Sequence, residues 1–248
     1  MKSLLVTGGA SGIGAGIAER FSEAGYAIAV FDRNPAGADE VTRQLRRRGP
    51  AISIHGDVNE PADAERAVIA TIDAFGTIDA LVNNAGIEIP GTVTSLSIEQ
   101  WDRLLGVNLR GAFLLSKYAI PQMKRGSSIV NISSVHAFAG YTDSAAYDSS
   151  KAGLLGLTRA MALDHGPSGI RINAVCPGYI QTPLMDQWLN TVPDREAALR
   201  EVLKSHPLGR IGTPRDVAEA VLFLSSEAAG FITGTYLVVD GAMTVAGK

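Results

Sequence analysis

The chain's 248 residues suit one large α/β domain, and 46 % hydrophobic against 19 % charged residues leaves ample material for a core, which excludes a disordered chain. Its 22 basic residues are outnumbered by 25 acidic ones, and a net charge of −3 argues against nucleic acid, which calls for a basic face. The single cysteine, Cys176, excludes an internal disulfide framework and reads as a small buried residue, while four scattered histidines give no metal-ligand spacing, so no metal is expected.

In chain order, short apolar runs alternate with helical patterns of ten residues or more. The strands expected are Ser3–Thr7, Ala27–Phe31, Ala51–His55, Ala80–Asn83, Ser128–Ile132, Arg171–Val175 and Tyr236–Val239. Most are apolar throughout, as parallel strands covered on both faces must be. The segments between them are long enough for right-handed crossovers. The expectation is therefore α/β: a doubly wound parallel sheet of about seven strands in a single domain spanning 1–248, with ligands at the strand C-termini. Residues 181–211 break the alternation with Pro183, Trp188, Pro193 and Pro207, and are expected to form a helical lid beside the site. Arg46-Arg47-Arg48 falls at a helix end, where cations suit the dipole. No apolar run reaches membrane-span length, and Met1-Lys2 leads straight into a strand without signal-peptide architecture. A cytoplasmic protein with no membrane partner is expected.

The motifs follow the same order. The first strand ends in Thr7-Gly8-Gly9-Ala10-Ser11-Gly12-Ile13-Gly14, a turn that lets backbone N–H groups approach a pyrophosphate at a helix N-terminus. Its spacing of Gly8, Gly12 and Gly14 departs from G-x-G-x-x-G. Asp32, 24 positions after Gly8, ends the second strand, where a carboxylate accepts both adenosine ribose hydroxyls of NAD and repels the 2′-phosphate of NADP. Arg33 is the one adjacent counter-charge. Asp57-Val58 follows the third strand, placed for adenine, with Asn59 the expected cap of the next helix and Pro61 in its first turn. Asn83-Asn84-Ala85-Gly86 closes the fourth strand with small residues and amides that suit a close backbone approach. Asn108 lies inside a long helix, an awkward place for its modest helix propensity. Tyr147 and Lys151, four apart, share one helix face, and Ser133-Ser134 ends the fifth strand across the crevice.

Together the glycine turn at Thr7–Gly14, Asn83–Gly86, Asn108, Ser134, Tyr147 with Lys151, and Pro177-Gly178 resemble the short-chain dehydrogenase/reductase family over essentially the whole chain. The resemblance implies a Rossmann-type fold, a nicotinamide cofactor and a homotetramer. One departure is Asp240-Gly241-Ala242, where a second glycine is common. The resemblance casts Tyr147 as acid/base, Ser134 as the positioner of the substrate oxygen, and Lys151 as the group that, with the positive nicotinamide of NAD⁺, lowers the tyrosine pKa and that also reaches the nicotinamide ribose. It gives Asn108 a water in a proton relay, and brings Ile180 and Thr182, after Pro177 and Gly178, to the nicotinamide carboxamide. Free tyrosine, with a pKa near 10, is about 0.1 % ionised at neutral pH, so a cation beside it has work to do.

Candidate pocket residues are Glu88, His136, Phe138, Tyr141, Tyr179 and Trp188, beside Ser134 and Tyr147. Asn83 to Glu88 together with Ser133-Ser134-Val135-His136 is similar to the bacterial glucose dehydrogenases of the family. A carboxylate and an imidazole can bond several hydroxyls, so the expected substrate is a small polar molecule, a sugar or polyol. Two alternatives stay open: a reductase of ketoacyl or steroid-like carbonyls, and a non-catalytic NAD-binding sensor or scaffold.

Overall fold

A computed structural model describes residues 1–246. Seven parallel strands form one sheet: β1 (Ser3–Thr7), β2 (Ala27–Asp32), β3 (Ala51–His55), β4 (Ala80–Asn83), β5 (Ser128–Ile132), β6 (Arg171–Pro177) and β7 (Tyr236–Val239). Their spatial order is β3-β2-β1-β4-β5-β6-β7, so the chain reverses direction across the sheet between β1 and β4. The expected doubly wound α/β sheet of seven strands is observed, with β2 one residue and β6 two residues longer than the apolar pattern indicated. A crevice opens at such a reversal because the helices on either side leave in opposite directions.

Period-two alternation divides each strand between two cores. Leu4 and Val6 of β1, with Ile28 and Val30 of β2, pack against Ile17 and Phe21 of α1 (Gly12–Glu23) and Val217, Val221 and Leu224 of α9 (Pro214–Ser225). Leu5, Ala29 and Phe31 face the other layer, against Ala64 and Val68 of α3 (Pro61–Phe75) and Leu114 and Leu115 of α5 (Gly111–Ala119). Met161 and Ala162 of the 21-residue helix α6 (Ala145–His165) complete that layer. A buried leucine or phenylalanine contributes about 1.5–3 kcal/mol, so these two layers dominate the stability. The remaining helices are α2 (Pro35–Leu45), α4 (Ile98–Leu105), α7 (Pro183–Leu189) and α8 (Arg195–Lys204). Cys176 lies in β6 with no exposed surface. Among the described residues no helix is long and apolar enough to cross a membrane, and no group of His, Cys, Asp and Glu has the arrangement of a metal site.

Three local expectations are corrected. Asn59 does not cap α3. Glu60 takes that place without a side-chain bond, and Asn59 Oδ1 instead accepts from the Arg110 guanidinium at 2.7 Å. Asn108 does not sit in a continuous α-helix: Gly106–Arg110 is a π-helical turn between α4 and α5. Phe138 stacks on Tyr236 with 5.6 Å between ring centroids, is 45 % exposed, and does not line the pocket.

Candidate active site

A cleft of about 810 Å³ runs along the C-terminal ends of the strands. That volume lies within the range of small-molecule and cofactor sites. Its floor is the turn between β1 and α1. Gly8 has φ +63°, and a Cβ there would meet Ala85 Cα at 2.8 Å, so only glycine lets β1 and β4 close to this distance. Thr7 completes the clasp, its Oγ1 accepting from the Asn84 and Ala85 amides at 3.0 Å each, while Asn84 Nδ2 donates to the Thr7 carbonyl at 2.9 Å. Ser11 begins α1 with extended backbone but makes no side-chain cap bond. The first-turn N–H groups of α1, carrying the positive end of the helix dipole, are therefore open to an anion from the cleft.

Gly8, Ser11, Gly12, Ile13, Asp32, Asp57 and Val58 line the cleft, as do Asn84, Ala85 and Gly86 and, across it, Pro177, Gly178, Ile180 and Thr182. Gly14 does not line it. A Cβ on Gly14 would run into the Gly8 carbonyl and the Asn84 amide, so this glycine serves the close packing of α1 under the turn. Asp32 Oδ2 accepts from the Ala10 amide and Oδ1 from the Asn34 amide, both at 2.9 Å. These bonds fix the carboxylate at the end of β2 and also brace the glycine turn. Asp57 Oδ1 accepts from the Asn59 amide at 2.9 Å, and Asp63 Oδ2 accepts from the Asp57 amide at 2.9 Å. The uncapped helix end, the glycine cradle and an acidic residue at the tip of β2 together fit a nicotinamide dinucleotide.

At the other end of the cleft, Ser134 follows β5 and Tyr147 and Lys151 sit in the first two turns of α6. Lys151 Nζ donates to the Ile132 carbonyl at 2.9 Å and lies 5.4 Å from the centroid of the Tyr147 ring. Ser133 Oγ donates to the Lys151 carbonyl at 2.8 Å, tying α6 to β5. Burial pushes the Lys151 ammonium down to about 8. Burial also pushes the Tyr147 phenol up, with the Glu88 carboxylate adding to the rise and Ser134 opposing it. Burial thus opposes charge on either partner, and the lowering of the tyrosine is expected of Lys151 together with the positive nicotinamide of the cofactor, not of Lys151 alone.

Asn108, 1 % exposed, does not line the cleft. Its Oδ1 accepts from the Ile87 amide at 2.8 Å, and its Nδ2 donates to the Ile87 carbonyl at 2.9 Å and to Ser150 Oγ at 3.2 Å. The π-helical turn lets this side chain grip the loop after β4 from behind, next to Glu88. The far side of that loop is held where the Gly91 amide meets the Asp143 carbonyl at 2.7 Å.

Glu88, His136, Tyr141, Tyr179 and Trp188 all reach the cleft near Tyr147. Tyr179 and Trp188 pack together, and α7 and α8 build a small apolar cluster of Met185, Leu189 and Val202 over them. The base of this 182–211 excursion is pinned by Gln181 N to Gly212 O at 2.8 Å and Gly212 N to Tyr179 O at 3.0 Å. Leu184, Met185 and Gln187 of α7 also line the cleft and carry no sequence signal of their own. Asp148 was the residue hidden in plain view. Its Oδ1 is 2.5 Å from His136 Nδ1 and its Oδ2 accepts from the Tyr141 amide at 3.1 Å. The His136 and Tyr141 rings stack at 3.9 Å, and His136 meets Tyr147 edge-on at 5.0 Å.

The chain is similar to known proteins over nearly its whole length. A family described as enoyl-(acyl carrier protein) reductase matches residues 8–244. Meso-2,3-butanediol dehydrogenase of Serratia marcescens is 36 % identical over 244 residues, covering 98 % of this chain and 94 % of its own. The ligand-free aldohexose dehydrogenase of Thermoplasma acidophilum superposes with a TM-score of 0.90 at 40 % identity, covering 99 % of this chain and 95 % of that one. A short-chain dehydrogenase/reductase of Brucella melitensis described as glucose/ribitol dehydrogenase gives 0.91 at 34 % identity, covering 98 % and 96 %.

Proposed function

The chain belongs to the short-chain dehydrogenase/reductase family, an oxidoreductase family that binds a nicotinamide cofactor, and from that premise we propose that it interconverts a secondary alcohol and a carbonyl in a small sugar or polyol, using NAD. The observation that carries this reading is the meeting of Ser134, Tyr147 and Lys151 with Glu88 and His136 at one end of the cleft. A bound nicotinamide supplies the hydride acceptor or donor. The protein's own residues supply the proton chemistry and the orientation.

Tyr147 moves the proton at its phenolic oxygen, and Ser134 donates to the substrate oxygen beside it. Lys151 is an ammonium at neutral pH, since even its lowered value lies near 8. Its charge offsets that of the phenolate in a site where burial opposes both, which restrains the proton until substrate arrives. Ser11 and the first turn of α1 receive the pyrophosphate, Asp32 the adenosine ribose and Asp57 with Val58 the adenine. Gly86, Pro177, Gly178, Ile180 and Thr182 bound the nicotinamide end. Asn108 holds a water behind Lys151 and fixes the Glu88 loop. Glu88, His136, Tyr141, Tyr179 and Trp188 form the substrate pocket, and 181–211 acts as its lid. The chain works as a homotetramer in the cytoplasm.

A screen of aldoses, polyols and ketones, followed by NADH absorbance, tests the reading. Turnover should concentrate among sugars and polyols. A greasier carbonyl substrate is favoured by one feature, the apolar Ile89, Leu184 and Met185 in the same cleft, and activity confined to apolar ketones would select it. Tyr147→Phe should retain NAD binding and lose about 10²–10⁴-fold in kcat, the usual worth of a positioned acid/base. Near-normal kcat in that variant would remove the tyrosine from the mechanism.

A further inference from the structure

We propose that Asp148 is a positioning residue that holds His136 as its Nδ1–H tautomer, so that Nε2 accepts a hydrogen bond from a second hydroxyl beside the one oxidised, and that the substrate is therefore a vicinal diol. The inference rests on the alcohol-oxidising reading above and assigns the residues by which that site reads the hydroxyl next to the one oxidised.

The geometry is specific. A carboxylate only accepts, so the 2.5 Å contact between Asp148 Oδ1 and His136 Nδ1 puts the ring proton on Nδ1. Nε2 on the opposite side of the ring is then an acceptor, and with the ring lining the cleft it makes no hydrogen bond to the described residues. Burial lowers the imidazole pKa, with Asp148 opposing, which keeps the ring neutral and the acceptor available. The ring has little freedom to turn. Tyr141 stacks on one face at 3.9 Å, its own amide held by Asp148 Oδ2, and Tyr147 closes the edge at 5.0 Å. The His136 ring lines the cleft with Ser134 and meets the Tyr147 ring edge-on, so it stands beside the two groups that handle the reacting oxygen.

An oxygen on the adjacent carbon is the substrate feature within reach. A monofunctional alcohol would leave Nε2 desolvated and unbonded, the situation in which sites built to bond a hydroxyl reject analogues lacking it. Glu88, across the same end of the cleft, adds a second acceptor.

The test compares 2,3-butanediol with 2-butanol in the unmodified enzyme and in Asp148→Asn, His136→Ala and Asp148→Glu. The unmodified enzyme should favour the diol by at least about tenfold in kcat/KM, the worth of one well-placed hydrogen bond. Asp148→Asn keeps an acceptor for the Tyr141 amide but offers a donor to Nδ1, reversing the tautomer. It should raise KM for the diol about tenfold and leave kcat/KM for 2-butanol within about twofold, His136→Ala should abolish the preference for the diol whatever it does to the rate on 2-butanol, and Asp148→Glu should recover part of the preference. A parallel loss on both substrates, or an unchanged diol preference, overturns the proposal in favour of a structural strut. Long-range 1H–15N spectra of the labelled, unmodified protein read the tautomer directly. An Nε2–H ring would overturn the proposal whatever the turnover and whether or not the variants fold. Failure of the unmodified enzyme to oxidise any alcohol would instead remove the functional reading on which the proposal rests.

Discussion

Asp32 shows how one side chain carries two duties. Two ribose hydroxyls can each donate to its carboxylate, and bonds of this charge-assisted sort are the stronger kind. A 2′-phosphate in the same place adds about two negative charges, and even a screened repulsion of 1.4 kcal/mol means tenfold discrimination. NAD is accordingly expected to exceed NADP by at least about tenfold in kcat/KM. The carboxylate also accepts from Ala10 N, so truncation to alanine would loosen the glycine turn as well as remove the charge. Asp32→Asn preserves an acceptor for that amide and should narrow the ratio toward unity. Equal use of both cofactors by the unmodified enzyme would mean that exposed Arg33 outweighs Asp32. Lys151 offers a second test at this scale. Its folded value near 8 lies below the ordinary 10.5, so the folded protein sheds this proton first as pH rises. The unfolded chain then holds more protons between those two values, and stability attributable to this site grows with pH in that window. Denaturation of the unmodified protein should show a gain of about 2 kcal/mol from about pH 7.5 to about pH 9.5 relative to Lys151→Met. A flat difference would place Lys151 in a wetter setting than the structure gives it.

At the scale of elements, α9 is held by its first turn. Thr213 and Asp216 form a reciprocal capping box, with Pro214 at the first helical position, and Arg210 grips the Asp216 carboxylate through two nitrogens at 2.7 Å each. The Arg210 bonds, with Thr213, hold the Asp216 carboxyl well below the usual carboxylate range. Because the folded value is depressed, the stability is present at neutral pH and is lost as acid protonates the group. Asp216→Asn should cost about 1 kcal/mol near pH 7 after allowance for its solvent exposure, and the difference from the unmodified protein should shrink below about pH 4. Urea midpoints at the two pH values would measure it. The π-helical turn at Gly106–Arg110 is the other instructive element. It converts a helix interior, where Asn108 fits poorly, into a place where both ends of its amide are satisfied. The C-terminal Ala242 has φ +71°, a conformation glycine adopts without the usual side-chain penalty, which explains why a glycine is common at that place.

Across the whole molecule, two surfaces stand open. A shallow groove beside α6 is lined by Leu105, Leu109, Phe113, Gly153, Leu157 and Ala160, and Gly156 leaves room above it. At one edge of the sheet, β7 leaves Tyr236 and Leu237 exposed. Two distinct self-complementary faces are what a dihedral homotetramer needs. Light scattering should therefore report a tetramer across the micromolar range, and Phe113→Asp should shift it to a smaller species. A monomer at those concentrations would rule the assembly out.

The sheet was legible in the sequence because parallel strands buried on both faces must be apolar throughout, and each is bounded by residues that break the run. Gly8, Asp32 and Ser134 were legible because each follows closely on or ends a strand, whereas Tyr147 and Lys151, one helical turn apart in α6, were legible only through the set of family motifs that they complete. Asp148 was not. Its significance depends on His136, which lies twelve residues away on another element, and only packing of the Tyr141 loop brings them to 2.5 Å. The role of Gly14 under the turn, the π-helical turn around Asn108 and the stacking of Phe138 on Tyr236 likewise depend on neighbours that no local pattern names. Periodicity determines which face of an element is buried, because that is a property of the element alone. Which polar groups then satisfy one another, and which pKa values move with burial, was decided by the tertiary structure, because both depend on the distances between elements and on the water excluded when they close.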